Sequence, residues 1–122
     1  KFHRMKIKYF SAYEFKCGEI NCYDEMDENL LQMLDAAREI AGIPFVINSS
    51  WRDVETNRKV GGKANSAHLR GKAVDISCKK SIDRLLILDA LIVAGFTRIG
   101  IGKTFIHADI DELLPQNVIW LY

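Results

Sequence analysis

Residues 105–110 read FIHADI and residues 73–77 read AVDIS, and these two stretches decide the fold of the chain. Side chains along a β-strand point alternately to opposite faces of the sheet. Each stretch therefore puts its aliphatic residues on one face, which predicts packing against helices. If the two strands are neighbours, Asp75 and His107 converge on the other face, which Asp109 shares.

The sequence around these strands predicts both helices and further strands. Asp27 is expected to cap a helix whose small and aliphatic residues recur every three or four positions until Gly42. The other predicted elements are a strand at 45–47, a helix at 53–60, a helix from Ser81 to Gly95, a hairpin at 96–110 and an edge strand at 118–122. The helix that begins at Ser81 carries Ile82, Leu85, Leu86, Leu88 and Ile92. The tight turn of the hairpin, at Gly102-Lys103, favours an α+β fold with a small antiparallel sheet and helices on one face.

Length and composition indicate one domain over residues 1–122, because the chain has 122 residues, 48% of them hydrophobic. We expect residues 1–4 to be a cloning remnant before Met5. We expect residues 5–26 to be an arm that packs on the body through the rings of Tyr9, Phe10, Tyr13, Phe15 and Tyr23. The net charge of +1 gives no reason to expect nucleic acid as a partner. No apolar run is long enough to span a membrane, and we expect a monomer.

The chain has three cysteines, an odd number that excludes a complete set of disulfides. A zinc knuckle could include Cys17 and Cys22, but it would need two more ligands nearby. No other residue has the spacing of a metal site with them. We therefore expect all three, including Cys78, to be reduced thiols.

A third polar group, His68, lies seven residues before Asp75, and Gly71 between them allows a sharp return of the chain. Two imidazoles and one carboxylate fit zinc (Zn²⁺), with a fourth position left for water. Such a site lowers the pKa of the bound water and polarises a carbonyl, as hydrolysis of an amide requires. The alternative is that each residue is an ordinary satisfied polar group, and spacing alone does not decide between them.

Several motifs together resemble a known family. They are Ser66-x-His68, Gly71-x-Ala73-x-Asp75 and His107-x-Asp109, preceded by Asn48-Ser49-Ser50-Trp51-Arg52 and the stretch 57–62. This order resembles the zinc D-Ala-D-Ala peptidases of the hedgehog-type fold, in particular small peptidoglycan peptidases of bacteria and phages. The resemblance covers roughly residues 10–111. It implies zinc bound by His68, Asp75 and His107, and Arg52 holding a carboxylate of a peptidoglycan peptide. Guanidinium matches a carboxylate with two parallel donors, which suits that role.

Two positions depart from the family pattern. Trp51 stands where the family has Tyr, so a hydroxyl role there is lost. Thr104 occupies a position, three residues before the last zinc histidine, where several branches carry an acid that serves as general base. We expect Asp109 to act as that base or to orient a ligand imidazole, and the sequence leaves both open.

Other polar residues are weaker candidates. Ser66 is expected to contact substrate, to order the His68 loop or simply to form a turn. Glu55 and Asp111 are expected to be solvated.

The resemblance implies a zinc metallopeptidase that cleaves stem peptides or cross-links of the bacterial cell wall, as a D-Ala-D-Ala carboxypeptidase or an endopeptidase. A non-catalytic zinc-containing binding module of the same fold is the alternative, because Thr104 replaces the acid. No signal peptide is visible, so we expect a phage endolysin-like protein or one exported from its cell by other means.

Overall fold

The computed structural model describes residues 7–17 and 20–122, so the predictions about residues 1–4 and a start at Met5 lie outside the described residues. The helices in this part of the chain are α1 (Glu28–Ala41), α2 (Val54–Lys59) and α3 (Ser81–Ala94). The strands are β1 (Lys16–Cys17), β2 (Ile20–Asn21), β3 (Ile47–Ser49), β4 (Ala73–Ser77), β5 (Arg98–Ile101), β6 (Phe105–Asp109) and β7 (Val118–Leu121). Short 3₁₀ turns lie at Ala12–Glu14, Tyr23–Glu25 and Ala67–Arg70.

Five of the strands form one sheet in the order β3-β4-β6-β5-β7. All neighbours are antiparallel except β5 and β7, which are parallel. On one face of the sheet, Val74, Ile76, Ile106 and Ala108 are buried in one core with the inward residues of α1 and α3, and α3 contacts β6. Each buried Val or Ile side chain stabilises the fold by about 1.5–3 kcal/mol, so this face fixes which way the alternating polar residues point. The predicted α+β fold is confirmed.

Helix α1 begins and ends where the sequence predicts. The Asp27 carboxylate accepts a hydrogen bond from the Leu30 amide at 3.0 Å, and Gly42 ends the helix with φ of 70°. Leu30, Leu34 and Ala37 are fully buried in the core, where α1 packs against α3. Within the described residues, no helix is long and apolar enough to cross a membrane.

Two predictions about the elements are wrong in detail. The strand predicted at 45–47 lies instead at Ile47–Ser49, and Ser81 is the first residue of α3 while Lys80 precedes the helix. The buried residues of α3 are Ile87, Ala90 and Leu91. Ile82, Leu85 and Ile92 are exposed. Most positions of α3 are apolar, so periodicity does not identify the face that packs against α1.

The arm packs on the body largely as predicted. Phe15 is fully buried between the rings of Phe10 and Tyr23, at centroid distances of 5.7 and 5.6 Å, whereas Tyr13 is exposed. The expectation of three reduced thiols is wrong, because Cys17 and Cys22 are joined by a disulfide across the short β1–β2 hairpin. Cys78 is a free buried thiol.

Candidate metal centre

The three residues predicted from the sequence to be metal ligands lie together on the polar face of the sheet. Asp75 and His107 are paired across β4 and β6, and His68 reaches them from the 3₁₀ turn that precedes β4. One donor atom from each of the three residues lies within 4.8 Å of the other two. This is the His₂Asp set that spacing and alternation suggested.

The turn that carries His68 is held in place from several sides. Ser66 precedes the turn, and its hydroxyl accepts a hydrogen bond from the His68 amide at 3.2 Å. Gly71 ends the turn with φ of 69°, and a Cβ there would collide with the backbone carbonyl of Glu25. The indole N–H of Trp51 donates to the Leu69 carbonyl at 3.1 Å. The turn is thus fixed before any ligand binds.

The tautomer of His68 is determined by its backbone partner. Nδ1 lies 2.7 Å from the carbonyl oxygen of Ser50, which can only accept, so Nδ1 carries the proton. Nε2 then faces Oδ1 of Asp75, at 3.4 Å. Either a second ring proton or a metal cation between these two atoms would satisfy both in this buried site.

The second imidazole has a carboxylate on each side. His107 Nδ1 lies 2.9 Å from Oδ1 of Asp75, and His107 Nε2 lies 2.7 Å from Oδ2 of Asp109. Asp109 is buried, and its other oxygen accepts from Nε of Arg98 at 2.7 Å and from the Asp111 amide at 3.2 Å. Nε2–H donated to Asp109 leaves Nδ1 free to bind a metal beside Asp75.

These contacts shift the pKa values of the cluster in opposite directions. Burial would raise the pKa of Asp75, but hydrogen bonds from His107 and His68 outweigh it and hold that pKa well below its usual range. Burial would lower the pKa of His107, but the hydrogen bonds to Asp109 and Asp75 raise it overall. The pKa of Asp109 is lowered, since its contacts with His107 outweigh burial. The site thus keeps its carboxylates ionised and attracts positive charge.

The donor set fits zinc. Neighbouring ligand atoms of a tetrahedral zinc site with 2.0–2.1 Å bonds are about 3.3 Å apart, and His68 Nε2 and Asp75 Oδ1 are 3.4 Å apart. Each imidazole has its second nitrogen held by an acceptor, as metal-binding histidines require. Three protein ligands would leave one position of a tetrahedral zinc open, which is typical of catalytic rather than structural zinc.

The guanidinium of Arg52 lies beside this centre. Its Nε donates to the Ser49 hydroxyl at 3.1 Å, Nη1 to Oδ1 of Asn57 at 3.1 Å and Nη2 to Oδ2 of Asp75 at 3.3 Å. A Cβ at Gly62 would overlap the Asn57 side chain, so the loop after α2 presses that side chain against Arg52. These three hydrogen bonds leave two of the five N–H groups of Arg52 without a partner among the described residues.

A comparison with protein families decides the identity of this chain. The family model of peptidase M15 matches residues 8–110. The chain belongs to the peptidase M15 family. This family is zinc-dependent, in agreement with the donor set of the centre. No curated protein matches the chain significantly.

The remaining candidate residues of this M15 chain lie away from the metal donors. Glu55 is exposed and paired with Arg58, as expected for a solvated acid. Asp111, also expected to be solvated, is fully buried, and Nε of Arg70 donates to its Oδ2 at 2.6 Å. That expectation is wrong because a partner distant in sequence neutralises the buried charge. Thr104 is exposed, and its carbonyl oxygen accepts a hydrogen bond from the Cys78 amide.

Sequence reasoning missed four residues that support the centre: the Ser50 carbonyl, Asn57, Arg98 and Trp120. The ring of Trp120 lies 5.5 Å from that of His107, and the Arg98 guanidinium lies 5.1 Å from the Trp120 ring. A pattern search could have noted the basic residue of β5, since Arg98 and Asp109 sit opposite each other in the predicted hairpin. The other contacts depend on strand order and loop conformation.

Proposed function

We propose that this chain is a zinc-dependent peptidase that hydrolyses peptide bonds in the stem peptides or cross-links of peptidoglycan. The observation that carries the proposal is the His68–Asp75–His107 group, in which the second nitrogen of each imidazole is held by an acceptor. Membership of the M15 family supports the hydrolytic chemistry. Zinc held by these three residues would supply an activated water and polarise the scissile carbonyl.

Asp109 serves in this proposal to orient His107. Both of its oxygens are engaged, one by His107 and the other by Arg98 and the Asp111 amide. A general base must reach the proton that it removes. Asp109 contacts Nε2 of His107, the nitrogen turned away from Asp75, so the orienting role fits better than the role of base.

Arg52 serves to bind a substrate carboxylate. Its guanidinium is fixed by Ser49, Asn57 and Asp75, and its two remaining N–H groups are available beside the metal donors. Stem peptides carry free carboxylates, which a fixed planar cation binds well. Ser66 is assigned no contact with substrate, because its hydroxyl orders the turn that carries His68.

Replacing Arg52 with lysine tests this role. The ammonium group keeps the charge but cannot make the same planar set of hydrogen bonds. We expect KM for a stem peptide with a free carboxylate to rise by about tenfold, which is the cost of one charge-assisted hydrogen bond. Steady-state kinetics on the same peptide with its carboxylate amidated provide the control. An equal rise in KM for both peptides would contradict the carboxylate role.

The second candidate function is a zinc-containing module that binds peptidoglycan without cleaving it. The structure favours it in one respect, since Asp109 is fully occupied and Thr104 replaces the acid at the usual position of the base. Purified peptidoglycan incubated with the protein distinguishes the two candidates.

The zinc-loaded protein is expected to release peptides with new termini, which mass spectrometry identifies, and the released fragments show which bond is cut. Protein treated with a chelator should release none, and added zinc should restore release. Sedimentation of zinc-loaded protein with intact peptidoglycan, with no new termini, would contradict the peptidase and support the binding module. Cleavage that persists after verified removal of metal would contradict both.

A further inference from the structure

Strand β7 adds aromatic side chains to the polar face of the sheet. It pairs with β5 so that Trp120 lies opposite Gly100, and Gly100 in turn lies opposite His107 of β6. Alternation puts Trp120 and Tyr122 on the face of the metal donors, and Leu121 on the other face. The ladder continues through the Tyr122 amide, which donates to the Ile101 carbonyl at 3.0 Å. All of β7 lies beyond residues 8–110, the span that the family model matches.

The two rings rest against one another and against the centre. Trp120 lies 5.5 Å from the His107 ring, while Tyr122 lies 4.9 Å from the Phe105 ring and 6.2 Å from Trp120. Both rings lie above Gly100, since a Cβ there would come within 2.6 Å of Nε1 of Trp120 and 2.7 Å of Cε2 of Tyr122. Any residue other than glycine at this position would displace them.

The pair keeps a large accessible surface beside the metal donors. Tyr122 is 67% exposed, and Trp120 is half-buried. Partial burial of the hydroxyl, together with the charges of Asp75 and Asp109, raises the pKa of Tyr122, which places that hydroxyl within the field of the centre. An exposed pair of rings beside a candidate catalytic group is a surface suited to ligand binding.

The order of the strands sets where a substrate would meet this pair. Arg52 follows β3 at one edge of the sheet, the metal donors lie on and beside β4 and β6, and β7 is the opposite edge. Consider a peptide substrate whose carboxylate is bound by Arg52 and whose scissile bond lies at the metal donors. Its residues on the amino side of the scissile bond then extend across the sheet towards β7. This step rests on the proposed peptidase function.

We propose that Trp120 and Tyr122 form an aromatic wall that binds the acyl-side residues of the substrate, those on the amino side of the scissile bond. The wall packs against apolar side-chain carbons and the flat faces of peptide groups, so it favours an extended peptide with uncharged side chains at these positions. The wall makes longer peptides better substrates than the minimal fragment.

Kinetics on two peptides test the wall. The peptides are the dipeptide D-Ala-D-Ala and an N-acetylated tripeptide with the same ending, each incubated with zinc-loaded protein. Tyr122→Ala is expected to raise KM for the tripeptide about fivefold, with kcat within about twofold and little change for the dipeptide. Leu121→Ala, 81% exposed on the opposite face of the same strand, and Tyr13→Ala, 68% exposed on the arm, are matched controls. Unchanged KM for the tripeptide in Tyr122→Ala would overturn the proposal.

A binding measurement keeps the wall testable if neither peptide is cleaved. The acyl-side product, an N-acetylated dipeptide ending in D-Ala, is titrated into zinc-loaded protein while the indole N–H signals are followed by NMR. The signal that Trp120→Phe removes should shift, and free D-Ala should leave it in place. If signals near the metal donors shift but the Trp120 signal does not, the proposal of an aromatic wall is overturned. A shift without any hydrolysis would retain the wall and reject the peptidase.

Discussion

Replacing Asp75 with asparagine is expected to abolish zinc binding and to lower peptide release by about a thousandfold or more, to the level of chelated protein. Asp75 is the carboxylate that both imidazoles and Arg52 face, at 3.4, 2.9 and 3.3 Å. The amide has nearly the same shape but no charge. The neutral oxygen of an amide is a poor zinc ligand. Loss of the carboxylate also leaves the positive charges of Arg52 and the metal without a balancing negative charge.

Metal analysis after dialysis and peptide release from peptidoglycan measure the two effects, with circular dichroism as a check on folding. Asp53→Asn is the matched control, since Asp53 follows Arg52 directly but caps α2, accepting from the Thr56 amide at 2.7 Å. Asparagine caps helices as well as aspartate does, so the control should keep its zinc and activity. Zinc-dependent hydrolysis at the native rate in Asp75→Asn would exclude Asp75 as a ligand.

The pairing of Asp75 with His107 was predictable because a two-residue period fixes both faces of a strand at once. The buried aliphatic residues of β4 and β6 determine which face meets the helices, and the polar residues must then share the other. Glycine and the turn residues around His68 indicated the return of that loop. The ligand set therefore follows from patterns local to short segments.

The features that the sequence did not predict depend on contacts between segments that are distant in sequence or nearly uniform in composition. Asp111 is buried because Arg70, forty-one residues away, neutralises it, and no local pattern reveals such a partner. Helix α3 is so apolar that its buried face depends on how α1 packs against it. The position of Trp120 beside His107 follows from the parallel pairing of β7 with β5, which strand propensity does not determine.

Replacing Asp109 with asparagine is expected to weaken zinc binding by about 10- to 100-fold through the tautomer of His107. One oxygen of Asp109 accepts from Arg98 and from the Asp111 amide, so the amide oxygen of the variant must occupy that place. The amide NH₂ then faces Nε2 of His107 and donates to it. His107 must carry its proton on Nδ1, the nitrogen that would otherwise bind zinc beside Asp75.

A general loss of stability could also weaken zinc binding. A variant of a second buried carboxylate, Asp111, distinguishes a loss of stability from a change in the tautomer of His107. Asp111, also buried, pairs with Arg70 and makes no hydrogen bond to His107. Asp109→Asn and Asp111→Asn should each reduce the free energy of unfolding of metal-free protein by about 1–3 kcal/mol. Only Asp109→Asn should weaken zinc binding, measured by competition with a chromophoric chelator.

The tautomer itself is observable, which ties the loss of zinc to His107 rather than to a general loosening of the fold. In metal-free Asp109→Asn, imidazole ¹⁵N shifts should show the His107 proton on Nδ1 and an unprotonated Nε2, whereas the native pair of carboxylates favours a doubly protonated ring. An unchanged zinc affinity in Asp109→Asn would show that Asp109 does not orient His107. Equal weakening in Asp111→Asn would assign the effect to stability. Weakened binding in Asp109→Asn alone, with the proton on Nδ1, would establish Asp109 as the residue that positions the second zinc ligand.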